Sequence, residues 1–158
     1  MDGNERVFID LPLCRSVIKE TLWVISNLTA CSPQQLATIF QDPSVLLKLM
    51  EILKGQSFDV RKEAARCILN VTAHGGPFLE SVLTLGALPE FVHYLRGTDD
   101  EARALALQFM ELLMRLREDG ARLVADSGGL DLLRSQSLSN DENSQKISFL
   151  LATYFSPR

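Results

Sequence analysis

The 158-residue sequence contains little of what several classes of protein require. It has only three cysteines, Cys14, Cys31 and Cys67, with no Cys-x-x-Cys pair, which favours reduced core thiols over a disulfide framework or a zinc site. No apolar run reaches about 18 residues, so no segment is predicted to span a membrane. The net charge is −4 and Lys and Arg do not cluster, so we expect no nucleic-acid partner.

Residues suited to catalysis are also scarce. The two histidines, His74 and His93, are isolated, no Ser/His/Asp or Cys/His set can be assembled, and no glycine-rich loop follows a strand. The acidic run Asp99-Asp100-Glu101 stands at a predicted helix start, where acids interact favourably with the helix dipole. The sequence therefore predicts no enzyme, no cofactor and no metal ion.

A helical segment that recurs 43 residues later is the most informative feature present. Segments 17–30 and 60–73 share Lys, Glu, Ile, Asn, Thr and Ala in register, and Gly86 and Gly128 align at a similar spacing of 42 residues. Apolar residues follow helical spacing, and no strand pattern is convincing. A helical repeat of this length predicts an all-α, right-handed α-solenoid of the armadillo (ARM/HEAT-like) kind, which presents a long binding surface rather than an enclosed active site.

The predicted helices occur in the order long, then short–short–long three times. We interpret residues 1–13 as a loose lead-in and residues 14–158 as the array, with units at about 14–31, 32–74, 75–118 and 119–158, or about three and a third units. Thr98 with Glu101, and Ser139 with Glu142, have the form of capping boxes before the last two long helices. The last of these helices is expected over about 140–155.

The first long helix lacks the two helices that precede it in a complete unit. Its apolar face needs a cover, because a single repeat cannot bury that face alone. Residues 1–13 or further repeats would supply this cover, and we favour the second, in which the chain is a segment of a longer array.

The segment Glu20-Thr21-Leu22-Trp23-Val24-Ile25-Ser26-Asn27 resembles the third helix of an importin-α (karyopherin-α) armadillo repeat, which typically has the pattern Glu-Ala-x-Trp-x-Ile-Ser-Asn. Segment 63–70 is similar, with Arg66 where Trp is usual, and segment 85–89 resembles the family's Gly-Ala-Ile-Pro turn. The resemblance covers about residues 17–133. It implies a cytoplasmic and nuclear protein that binds the extended, basic nuclear-localisation peptide of an import cargo on its concave face. It also implies an importin-β-type partner, bound through regions outside this chain.

The residue chemistry agrees with this implication for part of the surface. Trp23 and Asn27 are four residues apart and share one helix face. An Asn amide can both donate to and accept from a peptide main chain, while Trp offers an apolar wall and a cation–π surface to Lys or Arg. Stacked helices about 10 Å apart would place Asn70 about three peptide residues further along, as a second rung.

Other positions depart from the family pattern. Arg66 is expected to form a salt bridge with Glu20 or Glu63, since an unpaired cation would repel a lysine-rich peptide. The equivalent positions in the later units are Gln108 and Leu112, then Leu150 and Tyr154, so the asparagine ladder ends after two rungs. The acidic charge would come from the long helices. The candidate peptide-binding residues are therefore Glu20, Trp23, Asn27, Glu63, Arg66, Asn70, Gln108 and Glu111.

These assignments have structural alternatives. Asn27 and Asn70 could instead form hydrogen bonds between helices, and Trp23 could be a core aromatic residue. Met110 and Met114 are assigned to the core. For the whole chain, the alternative to an import-signal receptor is a general protein–protein interaction scaffold that no longer binds import signals.

Overall fold

The computed structural model describes residues 12–55, 57–139 and 141–157, and the side chains from Arg15 onward. Within these ranges it consists of α-helices and contains no strand. The helices are α1 (Pro12–Thr29), α2 (Pro33–Ile39), α3 (Pro43–Gly55), α4 (Phe58–Ala73), α5 (Gly76–Thr84), α6 (Ala87–Arg96), α7 (Asp100–Leu116), α8 (Gly120–Asp126), α9 (Gly129–Gln136) and α10 (Ser144–Tyr154). The predicted order of one long helix and three groups of two shorter helices and a longer one is confirmed. The predicted lead-in lies outside the described residues, except for Pro12 and Leu13, which belong to α1.

The helices form two compact units that divide between Val71 and Thr72, near the end of α4. In unit 1 each helix contributes apolar side chains that are almost completely buried, as expected where apolar stripes face one another. The Cys67 thiol of α4 is fully buried and donates a hydrogen bond to the Leu22 carbonyl oxygen of α1 at 3.3 Å. Burial raises the pKa of this thiol to about 12, so Cys67 is an unreactive core residue, as its apolar setting predicted.

The core of unit 2 is centred on two aromatic rings. Phe91 of α6 and Phe109 of α7 are fully buried and stacked, with their ring centroids 4.2 Å apart. Met110 and Met114 are buried in the same helix, which confirms their assignment to the core. Because large aromatic side chains bury the most apolar area, this contact fixes how α6 and α7 pack.

Gly86 and Gly128 stand at equivalent structural positions. Each is the residue before a helix, α6 and α9 respectively, and each adopts the left-handed conformation, with φ of 86° and 84°. A side chain on these residues would be strained there, so glycine is required at the same point of both repeats. The alignment of the two glycines in the sequence therefore reflects a shared turn.

The predicted capping boxes are wrong in detail. Asp99, rather than Thr98, caps α7, since its carboxylate accepts a hydrogen bond from the Ala102 N–H at 2.8 Å. Asp is at least as good a cap as Thr and lies one residue closer to the helix. The last helix begins at Ser144 instead of residue 140, because Asp141 is used in the preceding loop, where it accepts from the Asn143 N–H at 3.0 Å.

A buried arginine connects this loop with two other helix ends in unit 2. Arg103 of α7 is 8% exposed, and its guanidinium donates to Asp141 at 2.8 Å, to Gln136 at 2.9 Å and to Asp100 at 3.1 Å. The Gln136 amide in turn donates to the Leu95 carbonyl oxygen at the end of α6, at 2.7 Å. The Arg103 network, defined by Arg103, Asp100, Gln136 and Asp141, therefore joins α6, α7, α9 and the α9–α10 loop.

We expect unit 2 to lose stability as the pH falls below about 4, partly through Asp141. The hydrogen bond from Arg103, and then that from Ser139, hold the pKa of the Asp141 carboxyl below its ordinary value of 3.8. A lowered folded-state pKa stabilises the fold above the unfolded-state pKa, and this contribution disappears as the pH falls through the folded-state value. Urea unfolding of the wild type and Asp141→Asn at neutral and acid pH measures it. An identical dependence on pH in both proteins would contradict the assignment.

Candidate functional site

The exposed face of α1 carries three of the predicted peptide-binding residues. Glu20, Trp23 and Asn27 follow one another at spacings of three and four residues and therefore share one side of the helix. All three are exposed, and 58% of the Trp23 surface is open to solvent. The alternative of a core aromatic residue at position 23 is therefore wrong. A flat indole and an amide are available together on the surface of unit 1.

Asn70 of α4 has a different environment. It is half-buried, and its side-chain nitrogen Nδ2 donates to the Ser26 carbonyl oxygen at 2.9 Å and to the Thr29 hydroxyl oxygen at 3.2 Å. The alternative role, a hydrogen bond between helices, is thus present at this position. Only the Asn70 carbonyl oxygen Oδ1 remains for a bound peptide, so Asn70 can supply an acceptor but not the donor that a complete rung requires.

These contacts also explain why an Asn-x-Thr sequence recurs. Thr29 is fully buried, and its hydroxyl donates to the Ser26 carbonyl oxygen at 2.8 Å while receiving the bond from Asn70. Thr72, the equivalent residue of the next repeat, is also fully buried. A buried hydroxyl requires partners, so the two threonines serve the packing of the helices rather than a ligand.

Arg66 and Glu63 of α4 neutralise each other. The guanidinium donates to the Glu63 carboxylate at 2.5 Å, and the side chains are 33% and 14% exposed. This confirms the predicted salt bridge and selects Glu63 as the partner. The Glu63 carboxylate is therefore engaged, and among the acids predicted for unit 1 the exposed Glu20 is the one at the surface.

The two candidates in unit 2 lie on α7 and also differ from each other. Gln108 is exposed, whereas Glu111 forms an ion pair with Lys146 of α10. The Lys146 ammonium also lies 5.5 Å from the ring centroid of Phe149, which is 49% exposed. Glu111 is thus partly shielded by a cation from the next long helix, while Gln108 keeps a surface amide.

Phe149 and Lys146 are surface residues that the sequence reasoning missed. Counting 42 residues from Gln108 pointed to Leu150, which is fully buried, whereas the exposed aromatic residue is its neighbour. The 11-residue helix α10 is much shorter than the 17-residue α7, so a fixed residue count does not carry the face from one to the other. The spacing of three between Lys146 and Phe149 was the available signal, since such residues meet on a helix.

Nothing in the described part of the chain adds a catalytic or membrane-inserted site. Its His, Cys, Asp and Glu residues form no group of three or more placed to hold a metal ion. None of its helices is both long and apolar enough to cross a bilayer. The arrangement can therefore contact an extended ligand through the α1 face, by stacking on Trp23 and hydrogen bonding to Asn27.

Comparison with known proteins agrees with the repeat pattern. Over 154 residues the chain is 30% identical to importin subunit alpha-2 of Oryza sativa subsp. japonica and 32% identical to importin subunit alpha-9 of Arabidopsis thaliana. Each match covers 89% of this chain, but the chain spans only 29% and 30% of the length of these relatives. No protein-family model matches the sequence.

Solved structures show the same fold at lower sequence identity. Computationally designed armadillo repeat proteins for modular peptide recognition match with a TM-score of 0.80 and 21% identity, over 94% of this chain and 62% of theirs. A designed armadillo repeat protein in complex with the peptide (KR)4 matches with a TM-score of 0.79 and 22% identity, with the same coverage. The chain is therefore an armadillo-repeat protein and a divergent relative of the importin α subunits.

Proposed function

We propose that this chain is a peptide-binding module and that the α1 face receives an extended peptide with a basic side chain, of the kind that forms a nuclear import signal. The observation that carries the proposal is the joint exposure of Trp23 and Asn27, one helical turn apart, on a binding-protein fold. A receptor with this role operates between the cytoplasm and the nucleus. Its role is binding rather than catalysis.

The chemistry of the α1 face supports a basic side chain on the ligand. The indole of Trp23 offers its face to the methylene stem and the charged end of Lys or Arg, an interaction of about 0.5–1 kcal/mol at an exposed site. Glu20 lies on the same side of the helix, one turn before Trp23, and adds a negative charge. Asn27 supplies both a donor and an acceptor for the peptide main chain and is indifferent to the ligand's side chains.

Few complete rungs are present, so we expect weak binding. Asn27 is fully available, Asn70 offers an acceptor only, and Leu112 replaces the next asparagine. The charge of Arg66, which would repel a basic ligand, is neutralised by Glu63. A dissociation constant of about 10–100 µM corresponds to a small number of such contacts.

Titration of a lysine- and arginine-rich peptide of about ten residues tests this proposal, and we expect Asn27→Ala and Trp23→Ala each to weaken binding about five- to tenfold. Alanine at position 27 removes a main-chain donor and acceptor, and alanine at position 23 removes the stacking surface. Isothermal titration calorimetry measures the change. Gln34→Ala, an exposed amide on α2, is the matched control and should bind as the wild type does.

Two results would reject this mechanism. Binding at micromolar or tighter affinity that survives the double substitution Asn27→Ala/Asn70→Ala would place the peptide elsewhere on the protein. No binding at all would favour the general interaction scaffold. That second function is supported by the hydrogen bonds of Asn70 and by the Glu111–Lys146 pair, which use groups that a peptide would otherwise need.

A further inference from the structure

A second, apolar surface of unit 1 is not used by the proposed peptide site. A groove of about 390 Å³ lies between α1 and α3. Its lining is almost entirely aliphatic, with only Thr21, Ser44 and Lys48 carrying polar groups. The aliphatic lining residues are Val17, Ile18, Leu22, Ile25, Val45, Leu49 and Ile52.

The groove continues into an exposed apolar stripe along α1. Val17, Val24 and Leu28 are spaced by seven and four residues, so they lie on one side of the helix, and they are 58%, 48% and 51% exposed. Contiguous apolar surface of this kind is uncommon on a monomer and marks a place where another segment packs. The groove is the concave part of this surface and so the part that buries an inserted side chain best.

We propose that the chain's own segment Val7-Phe8-Ile9 docks in this groove, with Phe8 inserted between α1 and α3. These three residues are consecutive and apolar, and the charged residues Arg6 and Asp10 flank them, as expected for a short segment with one buried face and solvated ends. They belong to residues 1–11, which lie outside the described part of the chain. The inference does not depend on whether the α1 face binds a peptide.

The length of the chain allows this docking. Phe8 is four residues before Pro12, where α1 begins, so it can reach at most about 14 Å from that point. Val17, at the near edge of the groove, lies five residues into α1, about 7.5 Å along the helix axis. A segment that turns back along α1 therefore reaches the groove.

A covalently attached segment also has an advantage over other occupants. A short flexible connection corresponds to a local concentration in the millimolar range, so even weak apolar contacts keep the segment bound. Of the two covers that the sequence suggested for this face, residues 1–13 and further repeats, the position of the groove beside the start of α1 favours the first.

A double-mutant cycle in the full chain tests the contact directly. Phe8→Ala and Ile25→Ala should each lower the melting temperature by about 3–6 °C, and the double variant should melt close to the lower of the two single variants. The effects coincide because each substitution removes the same packing. Phe8→Ala combined with Leu47→Ala, an exposed leucine of α3 outside the groove, is the control pair and should show additive effects.

A second variant separates the other occupants. Phe8→Asp should increase the fluorescence of 1-anilinonaphthalene-8-sulfonate about twofold or more, since it uncovers the groove. Additive melting shifts for Phe8 and Ile25 in a monomeric protein would overturn the proposal. Additive shifts in a dimer that Val17→Asp dissociates would also overturn it, and would show that a second copy covers the groove.

Discussion

An alanine in place of Gly120 should lower the free energy of unfolding of unit 2 by about 3 kcal/mol, at the upper end of what overpacking costs. Gly120 is the first residue of α8 and is buried against the end of α7. A Cβ atom there would stand 2.7 Å from both the Leu113 carbonyl carbon and the Met114 Cα, and it would also overlap the Leu113 carbonyl oxygen. All three are backbone atoms, so no side-chain rotation relieves the contact, and α8 would have to move away from α7.

Urea unfolding followed by circular dichroism measures this loss, and Gly55→Ala provides the matched control. Gly55 ends α3, and nothing lies within 4 Å of the position its Cβ would take. Its substitution should change stability by no more than about 1 kcal/mol and can increase it, because alanine restricts the unfolded chain. A Gly120→Ala protein as stable as the Gly55→Ala protein would show that α7 and α8 do not approach so closely.

Gly120 also illustrates where sequence reasoning about the fold stops. The repeat pattern predicted the helix order, and the aligned Gly86 and Gly128 predicted one turn used twice, because both signals are local. The need for glycine at position 120 arises from the packing of two helices, and no spacing in the sequence encodes it. Helix starts were displaced for a similar reason, since Asp141 bonds to Arg103, 38 residues earlier in the chain.

The candidate site divides in the same way. The spacing of Trp23 and Asn27 was sufficient to place both on one face, and the Arg66–Glu63 pair was predictable because its members are three residues apart. The partners of Asn70 were not, because Ser26 and Thr29 belong to another helix and are reached only once α1 and α4 pack. An asparagine that recurs in a repeat thus has two explanations, a ligand and a neighbouring helix, and only coordinates distinguish them.

The Arg103 network should give the second large effect, a loss of about 2–3 kcal/mol on substitution of Arg103 by Met. Methionine keeps the aliphatic stem but removes the donors that bind Asp141, Gln136 and Asp100. Asp141 is 25% exposed and would regain some water, which places the loss below that expected for a fully buried pair. Arg103→Lys should fall in between, because a lysine ammonium keeps the charge but not the planar fork.

The matched control is Arg122→Met, which removes an arginine that is 70% exposed and paired with Asp119 at 3.4 Å. An exposed pair of this kind contributes about 1 kcal/mol or less, so the control should remain close to the wild type. Equal stability of Arg103→Met and Arg122→Met in urea would mean that burying the guanidinium costs as much as its hydrogen bonds return. The network would then fix the position of the α9–α10 loop without stabilising it, and hydrogen exchange in that loop, rather than the unfolding midpoint, would reveal its contribution.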